Sequence, residues 1–265
     1  MTMTSPILVT GGTGTLGRHV VRRLRGAGCD VRVLSRRGHE AKDGVQFLTG
    51  DLATGKGIEP AVDGVAAIVH CAGSNKGDAD LTRSLLRAAS SQMRLPHLVY
   101  ISVVGADRIP VVSRVDRALF GYFESKRETE RVVEDSGLPW TTLRATQFHD
   151  LILTVVRQLA KLPAVPIPAG FRFQPVEADE VAARLVELAL GEPAGLVPDM
   201  GGPRVYGMAG LLRSYLHATK QRRRPIVPVW LPGKAARVLR AGANLAPNRA
   251  GGHRTWEEFL AEQVS

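Results

Sequence analysis

Three features are scarce in this 265-residue chain, and each scarcity excludes a class of protein. No apolar run reaches the ~20 residues that span a bilayer, so we expect no transmembrane segment. The first six residues lack a basic region followed by an apolar stretch, so we expect no secretory signal. Cys29 and Cys71 are the only cysteines, which excludes a disulfide framework and a cysteine-based zinc site. These absences favour the reducing cytoplasm and no membrane partner.

Aromatic residues are also few, at 5%, which argues against a base-stacking surface for single-stranded nucleic acid. The charge is unbalanced, because 35 Lys and Arg stand against 25 Asp and Glu and give a net charge of +10. A basic protein attracts nucleic acid, anionic membranes or an anionic cofactor, so charge alone does not choose among them. We interpret the densest basic run, residues 220–225, as a solvated face and expect no nucleic-acid partner.

Short β-branched runs alternate with amphipathic stretches through the first 150 residues. Because the runs are apolar without strict alternation, they predict strands that are buried on both faces. Strands separated by helices indicate βαβ units, so we predict an α/β fold, a doubly wound parallel (Rossmann) sheet with strand order 3-2-1-4-5-6. The predicted strands lie near 7–10, 31–34, 46–48, 66–70, 98–102 and 140–143.

The composition changes near residue 150, since five prolines precede that point and eleven follow it. Proline interrupts long regular elements, so the second part is predicted to be irregular chain with short elements. We predict a nucleotide-binding core over 1–150 and a small substrate lobe made mostly of 151–265. A helix at 178–190 and a strand near 195–198 are expected to return to the core. Further helices are predicted near 150–161, 207–219, 234–245 and 255–263.

The strongest motif is a glycine-rich loop, Gly11-x-x-Gly14-x-x-Gly17, which follows the first strand and opens the first helix. This placement is typical of dinucleotide-binding loops. The first glycine permits a tight turn, the second a close approach of the backbone to a pyrophosphate, and the third close packing of the helix. The helix N-terminus then directs its free N–H groups at the phosphates. Thr13 and Leu16 belong to the same predicted cofactor site.

The second strand ends in Ser35-Arg36-Arg37, where an NAD-selective site usually has an acidic residue. A guanidinium suits a 2′-phosphate through its charge and its forked donors. All three residues are therefore predicted to bind NADP(H).

With these motifs the chain resembles the short-chain dehydrogenase/reductase superfamily. Its glycine spacing and Gly50-Asp51-Leu52 are similar to the extended and atypical branches, and Ser136–Arg144 is similar to NmrA-like members. The resemblance covers about residues 6–190. It implies that Asp51 accepts from the adenine amino group and that Leu52 packs beside the ring. It also implies cofactor contacts from Ala72, Gly73 and Arg144–Thr146, with Thr146 near the nicotinamide.

The same resemblance implies a catalytic pair at Tyr122 and Lys126, which stand four residues apart, on one face of a helix. A tyrosine with a pKa near 10 needs a neighbouring cation to act as an acid or base near neutrality. Lys126 is also implied to bind the nicotinamide ribose. Ser102 is the candidate third member, although it stands two residues early on the strand and places Val104 at the usual catalytic position.

Substrate contacts are expected from loops beyond the strand ends, with Gln147, Phe148, His149 and Trp230 as candidates. For His149 the favoured interpretation is a hydrogen-bonded structural histidine, and a contact with a substrate oxygen is the alternative. The linker 105–121 is a candidate for closing over the site. The favoured reading is an NADPH-dependent oxidoreductase that reduces a small carbonyl or quinone-like molecule. An NADP(H)-binding redox sensor of the NmrA kind without turnover is the alternative, and a nucleotide-sugar epimerase ranks below both. The sequence leaves the oligomeric state open.

Overall fold

The computed structural model describes residues 5–38, 40, 44–73, 77–249 and 251–264. The strands are β1 (Ile7–Thr10), β2 (Val31–Ser35), β3 (Val45–Thr49), β4 (Ala67–His70), β5 (His97–Val103), β6 (Trp140–Ala145), β7 (Val165–Pro168), β8 (Arg172–Phe173), β9 (Gly195–Leu196), β10 (Tyr206–Gly207) and β11 (Ile226–Val229). The helices are α1 (Gly17–Gly26), α2 (Glu59–Val62), α3 (Asp78–Ser90), α4 (Arg114–Glu134), α5 (His149–Leu159), α6 (Ala178–Leu190), α7 (Met208–Ala218), α8 (Lys234–Ala241) and α9 (Trp256–Val264).

Seven strands form the main sheet, in the order β3-β2-β1-β4-β5-β6-β9. β1 pairs in parallel with both β2 and β4, and β6 pairs in parallel with β9. Every residue of β1 and β4 is buried, as expected for strands that helices cover on both faces. The predicted α/β fold and its strand order are confirmed, and β9 extends the order by one strand.

The chain divides into two compact units. The first consists of Met1–Ser102, Ser125–Leu143 and Asp179–Val197, and the second of Val103–Glu124, Arg144–Ala178 and Pro198–Ser265. The chain leaves the first unit after Ser102, returns to it at Ser125, and returns again with α6 and β9. These units are defined by compactness, so the predicted cofactor core over 1–150 and substrate lobe over 151–265 stay predictions.

Helix α4 begins at Arg114, within the segment that the sequence predicted as a linker. The correction has a local cause, which is a reciprocal capping arrangement at the helix start. The Ser113 N–H donates to Asp116 Oδ2 at 3.1 Å, and the Asp116 N–H donates to Ser113 Oγ at 2.9 Å. The spacing Ser-x-x-Asp was a readable signal for a helix start. Tyr122 and Lys126 therefore lie in the interior of a 21-residue helix rather than at its beginning.

The second unit has its own apolar core, formed where α5, α7 and α9 pack with β7. Trp256 is the largest fully buried side chain in it, and its indole N–H donates to the Leu211 carbonyl at 3.2 Å. The short sheets β10-β8 and β11-β7 belong to this unit. Among the described residues, no helix combines the length and the apolar composition that crossing a membrane requires.

Candidate functional site

The glycine-rich loop turns sharply at the end of β1. Gly11 has a φ of +67°, and a Cβ at this position would lie 2.7 Å from the backbone nitrogen of Ala72. The Gly14 N–H closes the turn by donating to the Gly11 carbonyl at 2.9 Å. A Cβ on Gly17 would collide with that same carbonyl oxygen. Glycine is therefore required at Gly11 by conformation and space, and at Gly17 by space.

Helix α1 starts directly behind this loop with its positive end uncompensated. Its N-cap, Leu16, provides no side-chain hydrogen bond, and its first turn contains no acidic residue. By contrast, α3, α6 and α9 each carry two acidic residues in the first turn. Unpaired N–H groups and the helix dipole favour an anion at such an end. The loop thus fits the pyrophosphate of a dinucleotide, with Thr13 and Gly14 exposed beside it.

The ends of β2 and β3 lie side by side, joined by a hydrogen bond from the Gly50 N–H to the Ser35 carbonyl at 2.9 Å. Arg36 and Arg37 are exposed, and the Arg37 N–H donates to Ser35 Oγ at 3.3 Å. Asp51 Oδ1 accepts from the Ala53 N–H at 3.0 Å, so that this carboxylate also organises its own turn. Leu52 is buried in the apolar core of the first unit. Contacts of these residues with adenine and ribose stay predictions.

A buried hydrogen-bond chain connects the end of β1, just before the loop, to the end of β4, and no sequence motif predicts it. The Ala72 N–H donates to Thr10 Oγ1 at 3.3 Å, and Thr10 Oγ1 lies 2.6 Å from His70 Nδ1. His70 Nε2 lies 3.0 Å from Thr82 Oγ1, which itself donates to the Asp78 carbonyl. Thr82 must therefore accept from His70, which assigns the proton to Nε2 and makes Nδ1 the acceptor of Thr10.

His70 is held neutral by this arrangement. Its pKa is lowered to about 4, mainly by burial and further by the nearby Lys126 ammonium. This series of hydrogen bonds fixes the backbone of Ala72 and Gly73 relative to Gly11. Because His70 is neutral, it adds no charge near the loop.

Lys126 lies buried beside Gly73, and its ammonium is held by fixed partners. Nζ lies 3.2 Å from Asp78 Oδ2 and 3.2 Å from the hydroxyl oxygen of Tyr100, and it donates to the Ile101 carbonyl at 3.5 Å. The Tyr100 pKa is raised well above its usual value, chiefly by burial, so this tyrosine stays protonated. Asp78 and Tyr100 were not predicted, because nothing in the sequence marks which residues of α3 and β5 face Lys126.

Ser102 is buried on β5, and its hydroxyl donates to Glu130 Oε1 at 2.6 Å. The other oxygen of Glu130 pairs with Arg127 at 3.0 Å. Val104 follows the strand and is also fully buried. The polar group nearest to the expected catalytic position is thus committed to a carboxylate of its own unit.

Tyr122 lies one helical turn before Lys126 on α4 and is 42% exposed. Its ring meets that of Phe123 edge to face, with the centroids 5.9 Å apart. An exposed phenol is accessible to a substrate, which a buried one is not. The catalytic roles of Tyr122, Lys126 and Ser102 stay predictions.

The last residues of β6 and the segment after them are held by polar contacts of the second unit. Arg144 is buried and pairs with Asp107 at 2.9 Å. Thr146 is buried, and its hydroxyl donates to the Gln174 carbonyl at 2.5 Å. Gln147 Oε1 accepts from the Gln174 N–H at 3.2 Å. The implied nicotinamide contacts of this segment stay predictions.

His149, a substrate candidate, is completely buried at the start of α5. Its ring packs against those of Phe259 and Trp256, with centroids 4.9 and 6.0 Å away. Neither ring nitrogen has a hydrogen-bond partner among the described residues, and Glu177 Oε2 is 3.8 Å from Nδ1. Burial, and secondly Arg254, lowers the His149 pKa to about 4. A buried ring of this kind cannot reach a substrate, so the structure contradicts a direct substrate contact by His149.

Replacing His149 with leucine should make the free energy of unfolding less dependent on pH at acidic pH. As the pH falls below 6.5 the unfolded chain takes up a proton on this residue, while the folded chain resists until about pH 4. The contribution of neutral His149 to the free energy of unfolding is therefore complete above pH 6.5. Below that pH it declines by about 1.4 kcal/mol per pH unit. Urea unfolding between pH 7 and pH 4.5 should show a slope smaller by about that amount in His149→Leu. The exposed His217, changed to Gln, is the control, and an unaltered slope in His149→Leu would contradict the interpretation.

Trp230 follows β11 and is 67% exposed. The Arg240 guanidinium carbon lies 3.9 Å from the centroid of its ring. Within the described ranges, no group of three or more His, Cys, Asp or Glu side chains is arranged to hold a metal ion.

Three comparisons with known proteins agree with this geometry. The family model described as NAD(P)H-binding matches residues 11–189. A (4-alkanoyl-5-oxo-2,5-dihydrofuran-3-yl)methyl phosphate reductase of Streptomyces griseus is 34% identical over 145 residues, which are 54% of this chain and 48% of that protein. An NAD(P)H azoreductase of Xenophilus azovorans is 28% identical over 192 residues, 71% of this chain and 64% of that protein. The chain spans about half the length of the first curated relatives it matches.

A solved structure extends the likeness over nearly the whole chain. The NADPH-dependent quinone oxidoreductase QOR2 of Escherichia coli, crystallised with NADPH, superposes with a TM-score of 0.79 and covers 98% of this chain and 100% of its own. At 18% identity this likeness shows the fold.

Proposed function

Since this chain belongs to the NAD(P)H-binding family, we propose that it is an NADPH-dependent reductase of a small carbonyl or quinone-like substrate. The observation that carries the proposal is the pairing of an uncapped, acid-free helix start at α1 with two exposed arginines at the end of β2. The first suits the pyrophosphate, and the second suits a 2′-phosphate. Reductases among its relatives, two of them named above, support the reaction class.

Different residues of this chain would bind the cofactor and assist the reaction. Gly11, Gly14 and Gly17 admit the pyrophosphate, and Arg36, with Arg37 beside it, pairs with the 2′-phosphate. When bound, the dinucleotide supplies a hydride. Tyr122 would donate the proton to the substrate oxygen, because its side chain is partly exposed and stands four residues before Lys126 on α4. Lys126 would contribute positive potential from its fixed position between Asp78 and Tyr100.

Arg36 should determine the choice of cofactor. We expect the wild type to bind NADPH at least tenfold more tightly than NADH, since hydrogen bonds to charged groups contribute about 1.5–3 kcal/mol each. Arg36→Ala should weaken NADPH binding about tenfold to a hundredfold, with little effect on NADH. Titration of both dinucleotides by fluorescence or calorimetry measures this, with the exposed Arg94→Ala as the control. Equal affinities for the two dinucleotides in the wild type would contradict NADP(H) selectivity.

The second candidate is a cofactor-dependent binding protein of the NmrA kind without turnover. One observation favours it: Ser102 is bound to Glu130 and Val104 is buried, so neither offers a free hydroxyl at the end of β5. Epimerisation ranks lower for the same reason, since it requires the same acid–base machinery. The reductase and the binding protein both need the phosphate loop, so the presence of this loop does not distinguish them.

A screen of NADPH oxidation separates the candidates. Quinones, aldehydes, ketones and enones are offered in turn, beside a pull-down with NADP+ and with NADPH. Turnover with any of them supports the reductase. No turnover, together with a partner whose binding depends on the redox state of the cofactor, would replace the reductase by the sensor.

A further inference from the structure

The positive charge of this protein is concentrated in one stretch of the chain. Residues 200–256 contain eleven Lys and Arg and no Asp or Glu, so they account for the whole net charge of +10. The remaining chain is close to neutral. The phosphate loop and the arginines after β2 lie outside this stretch, so cofactor binding does not explain it.

The stretch includes an exposed apolar face beside its densest basic run. β11 pairs in parallel with β7, and the residues of each strand alternate between two faces. Val165 and Ile167 are buried on one face, whereas Val227, 49% exposed, and Val229, 36% exposed, lie on the other. Trp230 directly follows the strand and is 67% exposed. Exposed apolar side chains that follow one another in the chain, a tryptophan among them, indicate an interaction surface.

Basic side chains flank this face from both directions along the chain. Arg222 and Arg223 are exposed just before β11. Lys234 and Arg237 are exposed on α8, whose opposite face is buried through residues that include Ala235 and Leu239. Together with Val227, Val229 and Trp230, these four residues define what we call the Trp230 surface.

Two further charged groups lie near α8: a cation, which adds to the positive charge, and a buried carboxylate. The Arg240 guanidinium stacks on the Trp230 ring and donates to the Leu231 carbonyl at 2.9 Å, which orients the ring. The Asp116 carboxylate approaches Gly233 at the start of α8. It is buried and accepts from the Ser113 N–H, so it does not offset the exposed cations.

We propose that the Trp230 surface docks this protein on an anionic lipid bilayer. Exposed Arg and Lys attract anionic headgroups, valines enter the boundary of the acyl region, and tryptophan prefers the interface between the two. A nucleic acid fits less well, because the centre of the surface is aliphatic and Gln221 is the only side chain between 220 and 231 with an uncharged amide or hydroxyl.

The sequence predicted no membrane partner because no segment is long enough to span one. Peripheral docking needs no such segment, since it requires only a cationic surface with apolar side chains at its centre. Because this surface shares no residue with the phosphate loop, the proposal does not depend on the proposed reductase activity.

Vesicle co-sedimentation of the full chain tests the proposal. The wild type should pellet with vesicles of phosphatidylcholine mixed with phosphatidylglycerol, remain in solution with phosphatidylcholine alone, and be released by salt. Arg222→Gln/Arg223→Gln should lower the partition coefficient about fivefold for each charge removed. Arg87→Gln/Arg94→Gln, which removes the same charge from exposed sites of the first unit, is the matched control. Trp230→Ala should weaken binding about tenfold.

Fluorescence reports whether Trp230 enters the bilayer. Brominated lipids should quench the wild type more than Trp230→Phe, because Trp256 is buried and Trp140 packs against the core of the first unit. Equal pelleting with neutral and anionic vesicles, an equal loss in the control variant, or no difference in quenching would overturn the proposal. Tighter binding to a DNA duplex or to polyglutamate than to anionic vesicles at the same salt would also overturn it, in favour of a nucleic acid or an acidic protein. Circular dichroism confirms that each variant is folded.

Discussion

Lys126→Met should lower the free energy of unfolding by about 3–5 kcal/mol, because it leaves the Asp78 carboxylate buried without its cation. Asp78 is 3% exposed and its Oδ2 lies 3.2 Å from Lys126 Nζ, so little water is available to replace the lost partner. Urea unfolding at neutral pH measures the change.

A double-mutant cycle distinguishes the coupling between Asp78 and Lys126 from a nonspecific loss of stability. Asp78→Asn should also destabilise, and Asp78→Asn/Lys126→Met should lose clearly less than the sum of the two single variants. Lys161→Met, on an exposed lysine that donates to Gln158, should change stability by less than about 0.5 kcal/mol. Additive losses in the cycle would show that Asp78 and Lys126 do not form an energetically coupled pair.

Tyr122→Phe should lower the turnover of a carbonyl substrate at least tenfold and leave the affinity for NADPH unchanged. General acid catalysis contributes about 10²–10⁴-fold, and phenylalanine keeps the ring contact with Phe123 while removing the proton. The loss should appear in kcat rather than in the cofactor Kd. Steady-state kinetics with the best substrate of the NADPH screen measures it.

Tyr206→Phe is the matched control for this variant. It removes a hydroxyl that donates to Glu257 at 2.8 Å and should leave turnover unchanged. A rate that Tyr122→Phe does not alter would exclude Tyr122 as the proton donor. It would favour reduction of a quinone-like substrate that takes its proton from solvent.

The elements of the fold were predictable where one short segment carries its own signal. The strand order followed from alternating strands and helices, and the helix at 178–190 has the predicted bounds, because its apolar stripe and its Asp179-Glu180 first turn lie within the segment. The start of α4 was missed although Ser113 and Asp116 form a local cap. Composition changes once, near residue 150, whereas the chain crosses between the two units near the ends of β5, β6 and β9, within α4 and at the start of α6.

The candidate site also has parts that the sequence predicts and parts that it does not. The phosphate loop and the arginines after β2 could be assigned from the sequence, since the requirements of a tight turn and of a charged strand end are local. The partners of buried polar groups could not. Ser102 is bound to Glu130, 28 residues away, and His149 lies against Trp256 from the far end of the chain.

The sequence was enough to predict the backbone frame of a dinucleotide site: a buried parallel sheet, a glycine turn at Gly11 and a helix that begins after it. These features depend on conformational freedom and apolar periodicity, which each segment carries alone. The folded structure was needed to show that Lys126 pairs with Asp78, that His70 is a neutral link near the loop, and that Trp230 is exposed in a basic part of the chain. Pairing and burial depend on which distant side chains meet, and that is settled only when the segments pack together.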